Sequence, residues 1–178
     1  MKSRFTPLIV LSLAVLTPAC GPEEALEAVV SPVRAPCVRL TYGYCLRSAE
    51  NGSEEKIIDN GYEGFTHRWG VETHLLYHVG PVEGSTLDGP DQRWYADEIV
   101  SETRDPVGTQ YTINFPEAAP DAWFVASGER LLMIDTEVDC APQVCADLLD
   151  RSAAGATFSA TFELTADEAV PLRLLSLD

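Results

Sequence analysis

The chain has 178 residues, 46% of them apolar and 22% charged, which is the composition of a folded globular protein and not of a disordered one. Acidic residues outnumber basic ones 28 to 12, for a formal charge of −16. That balance excludes nucleic acid as a partner, because phosphate binding needs a Lys/Arg patch. It also argues against charge-driven binding to an anionic membrane.

Met1 to Cys20 reads as an export leader. Lys2 and Arg4 form a short basic start, Pro7 to Leu16 is an apolar run of ten, and Thr17-Pro18-Ala19 precedes Cys20. A membrane-spanning helix needs about 20 apolar residues, so this run is too short for a permanent anchor. A Cys directly after a small residue at the cleavage point resembles a bacterial lipoprotein signal. The resemblance implies cleavage of residues 1–19, lipidation of Cys20 and attachment to the cell envelope, with Gly21 after the cysteine favouring the outer membrane. Losing Lys2 and Arg4 leaves 10 basic against 28 acidic residues, a formal charge of −18.

Cysteine parity agrees with an oxidising compartment. With Cys20 set aside, Cys37, Cys45, Cys140 and Cys145 remain. Four cysteines allow three pairings. The local one, Cys37–Cys45 with Cys140–Cys145, is favoured because each pair brackets a short segment with a turn former. A four-thiolate zinc site is the rival, against which the wide Cys37–Cys45 spacing stands.

Residues 20–36, with three Pro and three Glu, read as a tether between lipid and folded domain. Residues 38–49 suggest two strands or a hairpin around Gly43. Asn51-Gly52-Ser53 and Asp59-Asn60-Gly61 suggest turns. A strand is expected over Val71 to Val82, a Gly-, Pro- and Asp-rich loop over 83–92, and a further strand over Arg93 to Glu102, where alternation is not clean. Short strands follow over Thr109–Phe115, Trp123–Ala126 and Arg130–Asp135. A helix is expected near 142–153, with Pro142 in its first turn, Asp139 as its cap and Gly155 at its end. Thr157–Leu164 alternates, placing Phe158, Ala160, Phe162 and Leu164 on one face, and Val170–Leu177 is the last strand. The fold class is therefore mainly β, with α+β as the alternative: small antiparallel sheet or barrel-like domains and one short helix.

Cys37, Cys45-Leu46, Ile57-Ile58-Asp59, Tyr62-Glu63-Gly64-Phe65, Gly70 to Val79, Asp88-Gly89-Pro90-Asp91 and Trp94 to Glu102 occur in an order that resembles domain-of-unknown-function family 4377 (DUF4377), a bacterial envelope domain common in lipoproteins. The resemblance covers residues 37–102 and implies a small β-rich domain with no known activity. It divides the chain into a β domain over 37–103 and a second small β-rich domain over 104–178.

Several side chains are candidates for chemistry. His67, His74 and His78 lie within twelve residues; three imidazoles can hold Zn²⁺ or Cu²⁺ with an open position, while strand histidines also fill cross-strand pairs. Tyr62, Trp69 and Trp94, if exposed together, make a binding surface for a carbohydrate or an envelope protein. Asp88, Asp91, Asp97 and Glu98 have the oxygen chemistry for Ca²⁺ without the spacing of a binding loop. Asp135, Glu137 and Asp139 alternate along one stretch, as a general acid/base pair or as a solvated strand face. No G-x-S-x-G occurs. The reading is a lipid-anchored, non-catalytic envelope module without cofactor, with a periplasmic metal-binding protein and a hydrolase of unrecognised site as alternatives.

Overall fold

The computed structural model describes residues 25–38, 42–58, 61–82, 92–119, 122–128 and 130–178. Residues 1–19, Cys20, Asp59-Asn60 and the loop Asp88-Gly89-Pro90-Asp91 lie outside the described residues. Among the described residues twelve strands and one helix follow in the order β1 (Leu26–Val30), β2 (Ala35–Val38), β3 (Tyr42–Glu50), β4 (Lys56–Ile58), β5 (Val71–Pro81), β6 (Gln92–Arg104), β7 (Gln110–Phe115), β8 (Val125–Ser127), β9 (Arg130–Met133), β10 (Thr136–Cys140), α1 (Pro142–Ala153), β11 (Phe158–Leu164) and β12 (Leu172–Leu177). The chain is mainly β, as expected. Both sheets are open, so the barrel-like form does not occur. The first runs β2-β3-β1-β5-β6 with β4 on β3, and the second runs β7-β11-β12-β10-β9-β8. The pairing of β10 with β12 is parallel, which makes the second sheet mixed.

The first sheet begins earlier than a tether over 20–36 allows. Leu26–Val30 lies between β3 and β5, with Val30 opposite Ser48 on one side and Thr73 on the other. Ala28 and Val30 are buried while Val29 faces out. Five alternating residues suffice for a strand but are too few to stand out from the surrounding Pro and Glu. The hairpin β2–β3 pairs Ala35 with Cys45 and Cys37 with Gly43, and Cys37 and Cys45 are disulfide-bonded with Cα atoms 5.8 Å apart. Asn51 and Gly52 turn the chain with φ of 49° and 72°.

Strand β6 shows why its alternation was not clean. Its pairing with β5 runs Ser101 to His74, then Ile99 to Leu75, then Glu98 to Leu76, then Ala96 to Tyr77. Val100 and Asp97 are thus bulged out, and each bulge swaps the faces of the residues beyond it. From Asp97 to Arg104 both faces are exposed, with Ile99 and Val100 about half exposed on this sheet edge.

The second sheet buries one face. Phe158, Ala160, Phe162 and Leu164 of β11 are all buried, as their alternation requires, together with Tyr111, Ile113, Phe115, Leu131, Met133, Val138, Leu172 and Leu174. Phe115 stacks on Phe158, and Phe124 on Phe162. Helix α1 contributes Leu148 to this core. Pro142 opens it, but its N-cap is Ala141 without a side-chain bond, and Asp139 pairs instead with Arg173. The Cys140–Cys145 disulfide ties its first turn to β10. Gly155 ends the helix with φ of 66°.

The boundary near residue 104 falls between the two sheets, but it does not coincide with the boundary between the two hydrophobic cores. Tyr44 and Trp69, from the first half of the chain, are buried in the cluster of the second sheet. Gly70 holds this junction. Its N–H donates to Pro32 O, its carbonyl accepts from Asp105 N–H, and its φ is 74°. A Cβ at this position would lie 2.5 Å from Leu164 Cδ2. Gly70→Ala therefore meets both an unfavourable backbone and an occupied core, and is expected to destabilise the protein by about 1–3 kcal/mol. Urea denaturation checks this: an unchanged midpoint contradicts the packing described for the junction.

Candidate functional site

The junction is built from four short pieces of chain. Arg34 stands between β1 and β2, Tyr44 lies on β3, His67 and Trp69 precede β5, and Ile134-Asp135 turn β9 into β10. Ile134 is a β-branched residue with φ of 57°. That conformation normally falls to glycine or Asn and costs of order 1–3 kcal/mol. Ile134 packs against the second core, which offsets the strain and presents Asp135 to the first sheet.

One chain of hydrogen bonds crosses between the sheets. Trp69 Nε1–H donates to Thr136 Oγ1 at 3.0 Å, and both residues are buried. Thr136 Oγ1–H donates to Asp135 Oδ1 at 3.1 Å. The Arg34 guanidinium holds both oxygens of Asp135, at 3.0 and 2.9 Å, and a second nitrogen donates to the Tyr44 carbonyl at 3.1 Å. Arg34 also lies over the Tyr44 ring, 5.7 Å from its centroid. Burial pushes the Asp135 carboxyl up, but the hydrogen bond and charge of Arg34 outweigh it and hold the group below its ordinary value.

Two cavities of about 300 Å³ each open on this network and share His67 and Asp135 as a common wall. The first is lined chiefly by charged groups, among them Arg68, Arg104, Glu137 and Glu168. Arg104 is paired with Glu168, Arg68 with Glu102, and Glu137 with Arg130. The second is lined by Arg34, Tyr44, Leu46, Gly61, Tyr62, Phe65, Thr66, His67 and Asp135.

Four buried side-chain polar atoms among the described residues have no hydrogen-bond partner, and three belong to residues lining the second cavity: Arg34 Nε, Tyr44 OH and His67 Nδ1. The fourth, Ser152 Oγ, is on the helix. Each such atom costs about 1–3 kcal/mol when it is left unpaired. Burial drives the Tyr44 phenol well above its ordinary value, so it stays protonated. His67 Nε2 is 3.1 Å from Ser31 O. A carbonyl only accepts, so Nε2 carries the proton, and in the neutral ring Nδ1 is left as an acceptor. Burial chiefly lowers His67 to about 4.

The three histidines do not meet. His67 stands against Trp69 at the junction, with ring centroids 5.6 Å apart. His74 faces Glu27 at 3.7 Å on β5, and His78 is bound to Asp97 at 2.8 Å and stacked on Tyr95. Among the described residues no group of three or more His, Cys, Asp or Glu is placed to hold a metal ion. His74 and His78 are each paired with an acid on a strand flanking β5. Tyr62, Trp69 and Trp94 do not form a shared surface either. Tyr62 and Trp69 are 3% and 6% exposed. Tyr62 and Trp94 pack in the first core with rings 5.9 Å apart, while Trp69 belongs to the second. Tyr62 O–H donates to Glu50, shares a contact with Ser48, and is raised above its ordinary value by burial. The alternating acids are split as well: Asp135 pairs with Arg34, Glu137 with Arg130 and Asp139 with Arg173.

Comparison with family models, curated proteins and solved structures finds no match for this chain.

The position of His67 has a consequence for stability. Its folded-state value near 4 lies below the ordinary 6.5, so the unfolded chain takes up this proton first. The contribution is fully present above pH 6.5 and is lost as pH falls toward 4. Between pH 7 and 5 the urea midpoint of the protein is expected to fall more steeply than that of His67→Gln, which keeps His74 and His78. Equal slopes contradict the burial of an uncharged imidazole here.

Proposed function

We propose that the chain is a non-catalytic binding module of the bacterial envelope, held by lipid on Cys20 at the outer membrane, and that its recognition element is the cavity between the two sheets. The observation that carries the reading is the cavity of about 300 Å³ at the junction of the sheets, lined by Arg34, Tyr62, Phe65, His67 and Asp135 among others. The acidic neighbours Asp135, Glu137 and Glu168 are each held by an arginine, which supports binding over proton transfer. The export signal, the two disulfides and the likeness of residues 37–102 to domain-of-unknown-function family 4377 support the envelope setting. No described helix is long and apolar enough to cross a membrane, so attachment in this reading rests on lipid. The partner is a carbohydrate or another envelope component, and the charge of −16 speaks against nucleic acid.

Intact-mass spectrometry of protein from its native host tests the anchor. A chain beginning at Cys20 with added acyl mass is expected, and Cys20→Ser is expected to move the protein out of the membrane fraction. A retained leader, or an unmodified Cys20, contradicts the reading.

A further inference from the structure

Strand β1 enters the first sheet close behind Cys20. Only residues 21–25 separate the cysteine from Leu26, where β1 begins. That stretch spans at most about 20 Å when fully extended. β1 is not an edge strand: it lies between β3 and β5 and pairs with both, so its start is fixed to the sheet. A lipid on Cys20 therefore keeps the Leu26 end of the first sheet within about 20 Å of the bilayer.

The two ends of this sheet differ. Leu26 is opposite Tyr77, and β5 runs on past it to Pro81, opposite Gln92 of β6. The β5–β6 hairpin thus projects beyond Leu26 by roughly 13 Å at the rise of an extended strand. The second sheet joins at the other end. Pro32, just after Val30, accepts from Gly70 N–H, and the Gly70 carbonyl accepts from Asp105 N–H. Arg104 pairs with Glu168, and the Tyr42 hydroxyl accepts from Ala119 N–H at 2.8 Å. To seat the second sheet on the bilayer instead, the chain from Cys20 has to run back along β1, roughly 13 Å, and past a strand of that sheet, roughly 17–20 Å more. Residues 21–25 are too few for that path. Charge acts in the same direction. Residues 105–178 hold thirteen acidic and three basic residues, and an anionic leaflet repels them.

We propose that the lipidated protein stands on the bilayer by the β5–β6 hairpin end of its first sheet, with the second sheet and the junction turned to the aqueous side. This rests on the reading of Cys20 as the lipid anchor and adds the face that meets the membrane. The partner of that face is the lipid headgroup layer.

The test uses the full acylated chain, ¹⁵N-labelled, in nanodiscs of phosphatidylethanolamine and phosphatidylglycerol that carry a gadolinium-chelate lipid. The amide signals of Gly80, Gln92 and Arg93 are expected to be lost to paramagnetic broadening, while those of Leu131 and Leu174 persist. Inserting about twenty Gly/Ser residues after Gly21 is expected to return the lost signals while the protein stays on the disc, because the anchor then no longer confines the sheet. Loss of the Leu131 and Leu174 signals, or equal broadening over both sheets, overturns the orientation and leaves the lipid anchor in place. An acylated, disc-bound chain in which no amide is broadened overturns it too. A chain that carries no acyl group and does not join the disc brings down the anchor reading and this inference together.

Discussion

The contact on which the molecule depends is the hydrogen-bonded chain from Trp69 through Thr136 and Asp135 to Arg34. Neither sheet is complete without the other at this place. Trp69 fills the core of the second sheet and satisfies its indole N–H on a strand of that sheet. Arg34 satisfies an acid presented by a turn of the second sheet while bracing the Tyr44 backbone of the first. A buried indole N–H or a largely buried guanidinium left without partners costs more than the pair contributes, so the network is most valuable as a fix on geometry. It decides how the sheets meet, and thereby which atoms face the cavity between them.

What could be read from the sequence was local. The alternation in Phe158–Leu164, the helix over Pro142–Ala153 and the near-neighbour disulfides all involve residues within one turn or one strand of each other. What could not be read was pairing at a distance. Leu26–Val30 looks like part of a tether until β3 and β5 close on it from 18 or more residues away, as the register of Val30 with Ser48 shows. Tyr62, Trp69 and Trp94 share a type but not a location, because the sheet boundary runs between them. His67 was among the candidates, for a different chemistry. Arg34, a lone arginine between Pro32 and Pro36 beside apolar neighbours, carries in the sequence a sign of a charge turned inward. The spacing of Asp135 with Glu137 and Asp139 is a local signal, whereas its partner lies 101 residues away.

The junction also gathers the costs of the fold. A left-handed isoleucine, an uncharged histidine and three unpaired polar atoms stand within one small region. A sequence selected for stability alone would place glycine at Ile134 and phenylalanine at Tyr44. The well-packed aromatic core of Phe115, Phe124, Phe158 and Phe162 supplies the margin that tolerates them.

The central claim is that the two sheets form one cooperative body welded at this network. Native-state hydrogen exchange tests it most directly. The account predicts that the slowest amides of β5, around Leu75, and of β12, around Leu172, open with the same free energy and the same denaturant dependence. Separate opening free energies for the two sheets, with β12 persisting after β5 has opened, would contradict it.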